Sequence, residues 1–311
     1  MGRLFGLVII TVAIAVLFSL WRAQHQMNWI AQAFQPTGEF VEVNGVNVHY
    51  LERGQGQPLI LIHGLSSNLK EWDTGLVDIL AQDYRVIAFD RPGLGYSDSV
   101  EGITLRGQAE LLSNASLALG ARNPIVVGHS FGGAVSLAWA VFEPDNISGL
   151  MVLSGASYPI SDLPVNVVKL LGSTFPGKFI ARMQLAWSSN ESLERSESEV
   201  FAPQAMPVDF ISDAGSWLKM RPETAVENMR QLANLNSELA EQVPQYPDIA
   251  IPVIVVHGTS DRIVPYATNA LVLTAAVSDA SLITLEGIGH EPNVVATTEI
   301  RQALLGLNTL K

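Results

Sequence analysis

A single serine stands between an apolar segment and a helix-like segment. Residues 124–140 read PIVVGHSFGGAVSLAWA, with β-branched residues before Ser130 and small residues after it. The pattern Gly-x-Ser-x-Gly, here Gly128 to Gly132, is typical of a tight strand-to-helix turn that exposes the serine hydroxyl at a sheet edge. Side chains at the glycine positions would collide with neighbouring elements. We therefore predict that Ser130 is a nucleophile; a structural Gly/Ser turn is the alternative.

A serine hydroxyl needs a base before it can attack a carbonyl, and histidine suits that role near neutral pH. The six candidates are His25, His49, His63, His129, His257 and His290. The first lies in a polar N-terminal stretch and the second in a predicted hairpin. The next three end strands or adjoin the serine. This leaves His290, in EGIGHEP after the last apolar strand, as the predicted base.

The base needs a carboxylate to fix its tautomer and stabilise the imidazolium. Asp261, in HGTSDRIVP, directly follows an apolar strand-like run. It therefore lies at the strand end where the nucleophile should also emerge. We predict that Asp261 is this carboxylate.

The elements that must position these residues follow an alternating pattern. FVEVNGVNVHYLERG, with its Asn-Gly turn, indicates a leading hairpin. The later strand-like runs are apolar throughout, which is typical of a parallel sheet covered by helices on both faces. They are PLILIHG, YRVIAFD, PIVVGHS, SGLMVLSGA, IPVIVVHG and SLITLEG. Helix-like segments separate most of them, so the fold class is α/β with an antiparallel edge.

The interval 157–247 breaks this alternation, since it contains helical patterns and no convincing strand. Such an interval is too long for a loop and predicts an inserted helical cap. Its large apolar residues could line an acyl pocket or could pack the cap onto the core. They are Met183, Trp187, Met206, Phe210, Trp217 and Met220.

Over residues 40–311 the chain resembles the α/β-hydrolase family, through GHSFGG, PLILIHGLSSN, DRPGLGYSDS and EGIGHEP. The resemblance implies that the N–H groups of Leu65 and Phe131 form the oxyanion hole, each contributing about 3 to 4 kcal/mol. His290 occupies the family's histidine position, and the order Ser130, Asp261, His290 is the family's order. Some members carry the acid after the sixth strand, where Asp162 stands.

These roles predict a serine hydrolase that cleaves small or medium acyl esters through an acyl-enzyme. Related epoxide hydrolases and dehalogenases use an aspartate nucleophile, which Ser130 disfavours. Carbon–carbon hydrolases of the meta-cleavage type, acyltransferases or perhydrolases, and a non-catalytic binding protein on the same fold stay open. No metal or other cofactor is expected, because the histidines lack ligand spacing and no dinucleotide motif is present.

Composition limits the classes of partner that the chain is expected to bind. A net charge of −12 without a basic cluster argues against nucleic acid, and the absence of cysteine excludes disulfides and thiolate zinc sites. A small acyl substrate is the expected partner. Protein partners are left open.

The N-terminus predicts a membrane anchor. Leu4 to Trp21 is apolar and uncharged, and as a helix it would span roughly 27 Å, near the thickness of a bilayer core. A cleaved signal peptide is the alternative, although the run is long for one and lacks a small-residue cleavage pattern. Arg3 and Arg22 bracket the run, and an extracytoplasmic catalytic domain is favoured. The expected units are anchor 1–22, linker 23–38, core 39–156 with 248–311, and cap 157–247.

Overall fold

A computed structural model describes residues 1–161 and 163–309 of the chain. An eight-stranded sheet lies at its centre, in the order β1-β2-β4-β3-β5-β6-β7-β8. The strands are β1 (Glu39–Val43), β2 (Val46–Arg53), β3 (Pro58–Ile62), β4 (Arg85–Phe89), β5 (Ile125–His129), β6 (Gly149–Leu153), β7 (Val253–Gly258) and β8 (Ala280–Leu285). The predicted α/β fold with a mostly parallel sheet is confirmed.

The antiparallel part of the sheet is confined to one edge. Strands β1 and β2 form a hairpin, and β2 pairs antiparallel with β4; all later pairings are parallel. Asn44 and Gly45 both have positive φ, at 52° and 82°, as a two-residue hairpin turn of right-handed twist requires. The Asn-Gly pair therefore sets the register of this edge.

Helices cover both faces of the sheet, form the inserted segment and precede the first strand. They are α1 (Gly2–Ala33), α2 (Leu76–Leu80), α3 (Leu105–Ala118), α4 (Phe131–Phe142), α5 (Val165–Leu171), α6 (Thr174–Trp187), α7 (Asn190–Phe201), α8 (Phe210–Asp213), α9 (Pro222–Gln242), α10 (Tyr266–Ala276), α11 (Pro292–Val295) and α12 (Thr297–Thr309).

Alternate residues of the parallel strands face opposite layers of the core. Ile60 and Ile62 pack with α3, α4 and α10, whereas Leu59 and Leu61 pack with α2 and α12. Because successive strand side chains point to opposite faces, a continuous apolar run is what a sheet between two helical layers needs. This two-sided burial holds the strand ends, and the loops that follow them, in place.

Helices α5 to α9 lie between β6 and β7, in the interval predicted to be a cap. Leu235 and Leu239 of α9 are buried in the core cluster that contains α3 and α4. The inserted segment is thus packed onto the sheet domain through an amphipathic helix.

Helix α1 is long and apolar enough to cross a membrane. Most of the large apolar side chains from Leu4 to Trp21 are exposed. The helix continues to Ala33, through most of the stretch expected to be a linker, where Ile30 is buried against Leu185 and Trp217. Its C-terminal half is therefore part of the folded domain.

Candidate active site

Ser130 lies between the last residue of β5 and the first of α4, with φ 52° and ψ −117°. Non-glycine residues rarely adopt such a conformation, so the surrounding structure must hold it. A Cβ added at Gly128 would lie 2.2 Å from the carbonyl oxygen of Gly132, and one at Gly132 would lie 2.1 Å from that of Ile62. Only glycine permits this close approach of strand and helix, which turns the serine outward.

His290 lies in the loop between β8 and α11, and its Nε2 is 2.9 Å from Ser130 Oγ. Burial lowers the pKa of His290 from its ordinary value, although Asp261 opposes the shift. The imidazole is therefore neutral at pH 7, and its Nε2 can accept the serine proton.

Asp261 follows β7, and its Oδ2 lies 2.8 Å from His290 Nδ1. The backbone N–H groups of Ile263 and Val264 donate to its Oδ1 at 2.8 and 2.9 Å. Burial alone would raise the pKa of Asp261, but hydrogen bonds from His257, His290 and Val264 hold it well below its usual range. The carboxylate stays ionised and fixes the proton of His290 on Nδ1.

The loop after β3 abuts the serine, as a Cβ added at Gly64 would lie 3.2 Å from Ser130 Cβ. Leu65 of this loop and Phe131, the first residue of α4, line the same cavity as Ser130. Their N–H groups have no acceptor among the described residues. Two free donors beside a nucleophile could stabilise an oxyanion.

The structure thus brings together all five residues that the sequence singles out for this site. The serine proton can pass to a buried neutral histidine whose other nitrogen is held by an ionised aspartate. Such a relay can activate the hydroxyl for attack on a carbonyl carbon. In the described part of the chain, no group of three or more His, Asp or Glu side chains is arranged to hold a metal ion.

The structure contains a buried ion pair next to the relay that the sequence did not predict. His129 Nδ1 lies 3.2 Å from Glu71 Oε1, and its Nε2 donates to the carbonyl of His290 at 2.9 Å. Burial would lower the pKa of His129, but Glu291 and Glu71 raise it to about 9. The protonated ring can therefore donate from both nitrogens. The location of His129 directly before Ser130 was its only available sequence signal.

Of the remaining histidines, His49 and His63 occupy buried structural positions. His49 Nδ1 lies 2.6 Å from Asp90 Oδ2, and His63 Nε2 accepts from the N–H of Arg91. His257 lies beside the relay, with Nε2 3.2 Å from Asp261 Oδ2. Its contact with the carboxylate is a feature that the sequence analysis missed. The alternative acid, Asp162, lies outside the described residues.

Asp90 holds the turn that follows β4. The backbone N–H groups of Leu69 and Tyr96 donate to its two carboxylate oxygens, each at 2.7 Å. These bonds tie the loop after β4 to the segment after β3.

A cavity of about 1000 Å³ lies between the carboxyl ends of the parallel strands, here called the sheet edge, and the inserted helices. Ser130, His290, Leu65 and Phe131 form part of its wall. Of the six apolar cap residues considered as pocket lining, Trp187, Phe210 and Met220 line the cavity. Met206 and Trp217 pack within apolar clusters of the inserted segment. Some of these cap residues therefore line the cavity, and others pack inside the inserted segment.

The wall opposite the sheet is mostly apolar and comes from α5, α6 and α9. It includes Leu171, Ile180, Ala181, Met229, Leu232 and Leu235. A second part of the wall is acidic. Glu71 and Glu291 lie there, and Glu197 forms an ion pair with Lys219 at 2.6 Å. Burial raises the pKa of Glu291 to about 7.

Comparison with known proteins adds independent findings. Residues 57–297 match a family model described as the alpha/beta hydrolase fold. The chain is 26% identical over 264 residues to a non-heme chloroperoxidase of Streptomyces lividans, covering 81% of this chain and 92% of that protein. It is 24% identical over 278 residues to 2-hydroxy-6-oxononadienedioate/2-hydroxy-6-oxononatrienedioate hydrolase 1 of Pseudomonas putida, covering 82% and 90%.

A solved structure extends the similarity to the N-terminal helix. A membrane phospholipase A, described as a novel bacterial virulence factor, superposes with a TM-score of 0.68 at 21% identity. The superposition covers 99% of both chains. At this identity the likeness shows a shared fold.

Proposed function

Because the chain belongs to the alpha/beta hydrolase fold family, we propose that it is a serine hydrolase, anchored by α1, that cleaves lipophilic carboxylic esters. The observation that carries this proposal is the hydrogen-bonded relay from Ser130 through His290 to Asp261 at the wall of a large cavity. Small and medium acyl groups are the proposed substrates.

The proposed reaction has two halves. His290 Nε2 takes the proton of Ser130 as Oγ forms a bond to the ester carbonyl carbon, and the oxyanion accepts from the N–H groups of Leu65 and Phe131. The carbon–oxygen bond to the alcohol then breaks, and imidazolium returns the proton to the leaving oxygen. Water, deprotonated by His290, attacks the acyl-enzyme in the same way and releases the acid.

The cavity supports a substrate larger than an acetyl ester. Its volume is at the upper end of the roughly 300 to 1000 Å³ of typical small-molecule sites. Burying an acyl chain against Leu171, Met229 and Leu232 would stabilise the complex by about 0.8 kcal/mol per methylene group. A lipophilic acyl group is therefore favoured over a short polar one.

The acidic part of the wall argues against a doubly charged substrate. The Pseudomonas putida relative is named for nonadienedioate and nonatrienedioate substrates. Among the described residues of the cavity wall, both charged cations are already paired, His129 with Glu71 and Lys219 with Glu197, so neither is free to bind a dianion. We therefore place ester hydrolysis ahead of carbon–carbon cleavage of such acids.

The N-terminal helix supports a location at a membrane. Trp187 of α6 lines the cavity, and its indole N–H donates to Ser19 of α1 at 3.1 Å. Gln26 of α1 donates to the carbonyl of Ser188 at 3.2 Å. Helices α5 and α6 also expose the apolar side chains Val167, Leu170, Phe175, Phe179 and Ile180. An anchor fixed to this surface would hold the cavity close to a lipid source.

Hydrolysis of p-nitrophenyl esters from acetate to laurate by the full chain tests this proposal. We expect kcat/KM to rise with acyl length until the cavity is filled, and kcat of Ser130→Ala to be lower by roughly four to six orders of magnitude. Product analysis with hydrogen peroxide and an alcohol as competing acceptors measures acyl transfer. Absence of ester turnover by pure folded protein, or turnover of the dioate substrate alone, would contradict it.

Membrane fractionation tests the anchor separately. Full-length protein should stay in the pellet after a carbonate wash, and protease added outside intact cells should digest the catalytic domain. Release of protein with an intact N-terminus would refute the anchor while leaving the proposed chemistry in place.

A further inference from the structure

Arg91 is a fully buried arginine in the loop that follows β4. Its Nε donates to the carbonyl of His63 and its Nη2 to the carbonyl of Gly64, each at 3.0 Å. Its Nη1 donates to Gln108 Oε1 at 3.1 Å and to Gln231 Oε1 at 2.6 Å. In the described residues all four acceptors are uncharged, and the guanidinium forms no ion pair.

Burial of a cation among neutral acceptors is expensive for a fold. Burial lowers the pKa of Arg91 to about 9, with the charges of Glu71, Glu227 and Asp90 opposing the shift, so the group stays charged at neutral pH. Its guanidinium carbon lies 4.4 Å from the centre of the Phe131 ring. The cation therefore contacts both segments that carry the proposed oxyanion donors.

Peptide geometry connects this cation to the donor of Leu65. In a trans peptide the carbonyl and the following N–H point in opposite directions. The carbonyl of Gly64 is held by Arg91 and also by His63 Nδ1 at 2.9 Å. The N–H of Leu65 belongs to the same peptide, so it points away from the guanidinium. Rotation of this peptide would break both bonds and turn a carbonyl toward the nucleophile.

In the preceding peptide, between His63 and Gly64, the carbonyl and the N–H also point in opposite directions. Arg91 holds the carbonyl of His63, and the N–H of Gly64 on the opposite side points to Glu71 Oε2 at 3.5 Å. Two successive peptides of this loop are therefore held by one rigid, planar guanidinium group. A lysine ammonium group has no such fixed pair of donors.

We propose that Arg91 is a positioning residue that locks the Gly64–Leu65 peptide in the orientation needed for an oxyanion hole. The inference rests on the proposed function, because it assigns a supporting group to that same site. Arg91 is not part of the cavity wall, so it acts through the loop and not on the substrate.

The inserted segment contributes to this lock. Gln231 of α9 accepts from Arg91, and Asn228 of the same helix accepts from the N–H of Ser66 at 2.9 Å. Ser66 has a positive φ of 55°, which needs such support. The orientation of the oxyanion loop is thereby coupled to the position of α9.

The test compares Arg91→Met and Arg91→Lys with Arg221→Met in the full-length protein. Arg221 is the matched control, because it also donates to backbone carbonyls, those of Gly95 and Leu218, and neither carbonyl lies in the loop after β3. Each variant is assayed for kcat, KM and affinity for an alkyl trifluoromethyl ketone, whose serine adduct carries an oxyanion. Affinity for the corresponding alkyl alcohol, which forms no oxyanion, is the reference.

Arg91→Met should lower kcat about 100-fold to 1000-fold, the loss typical of one oxyanion donor, and weaken ketone binding by a similar factor. KM and alcohol affinity should change by less than about threefold. Arg91→Lys should fall between wild type and Arg91→Met, and Arg221→Met should stay near wild type. Equal loss of ketone and alcohol affinity in Arg91→Met, or no loss, would overturn the inference.

Gln231→Met provides a second variant in case loss of the buried cation prevents folding. It leaves the guanidinium in place and removes one of its acceptors. We expect ketone affinity to fall about threefold to tenfold relative to alcohol affinity, with Gln242→Met of the same helix unchanged. An unchanged ratio in folded Gln231→Met would overturn the inference. Wild-type protein that neither hydrolyses esters nor binds the ketone would instead contradict the proposed function.

Discussion

The sheet edge and the inserted helices form two halves of one cavity, and they are built differently. At the sheet edge Ser130, Asp261 and His290 are buried and joined by short hydrogen bonds. The wall from α5, α6 and α9 presents mainly apolar side chains, such as Ile180 and Met229. Directional bonds fix reacting atoms, whereas apolar contacts select by size and shape. The first half should therefore determine the reaction, and the second should determine the acyl group.

The largest expected effect lies at the sheet edge. Ser130→Ala should lower kcat by roughly four to six orders of magnitude, because the nucleophile is removed. Thermal unfolding should be nearly unchanged. Ser136→Ala, a buried serine of α4 that donates to Gly133, is the control and should retain activity. Ester turnover by pure Ser130→Ala within tenfold of wild type would remove the distinction between the two halves.

Asp261→Asn should have the next largest effect. The amide cannot hold the proton of His290 on Nδ1 in the same way, and kcat should fall about 10⁴-fold. Asp162→Asn is the matched control and should stay near wild type in the same ester assay. The reverse result would assign the acid to residue 162.

A cap substitution should change selectivity and leave the chemistry intact. Met229→Trp fills part of the apolar wall, so kcat/KM for the longest accepted acyl group should fall about 10-fold to 200-fold. Turnover of a short ester should change by less than about threefold. Met183→Trp, the same change outside the cavity lining, is the control. Equal losses on short and long esters would show that the two halves are not separable.

The smallest expected effect is in the pH profile. Burial lowers the pKa of His290, and only the neutral imidazole can accept the serine proton. The kcat/KM should therefore rise with pH and reach half its plateau below the usual histidine value of about 6.5. Measurement on a short ester across pH 4 to 8 checks this. A midpoint above about 6.5 would contradict a buried neutral base.

Much of the sheet edge could be predicted from local patterns. An apolar run, a glycine-flanked serine and a small-residue helix are adjacent in the chain, so Ser130 could be recognised without coordinates. His290 and Asp261 follow other strands, and parallel strands bring their ends to one edge. The structure brings these side chains within hydrogen-bonding distance, and their catalytic roles stay predictions.

Other contacts could not be read from the sequence because they join distant residues of ordinary appearance. Glu71 meets His129, and Arg91 meets Gln231 of α9, only after the chain has folded. In the inserted segment Phe210 lines the cavity whereas Trp217 packs beside it. Helical periodicity indicates which side of a helix is apolar, but not which neighbouring element that side contacts.

Labelling of the full-length protein with a fluorophosphonate, followed by peptide mapping, tests the central claim most directly. This reagent reports a serine oxygen that has been activated for attack. We predict one adduct, on Ser130, and its loss in His290→Ala at pH 7. An adduct on another residue, or active protein that never labels, would contradict the account.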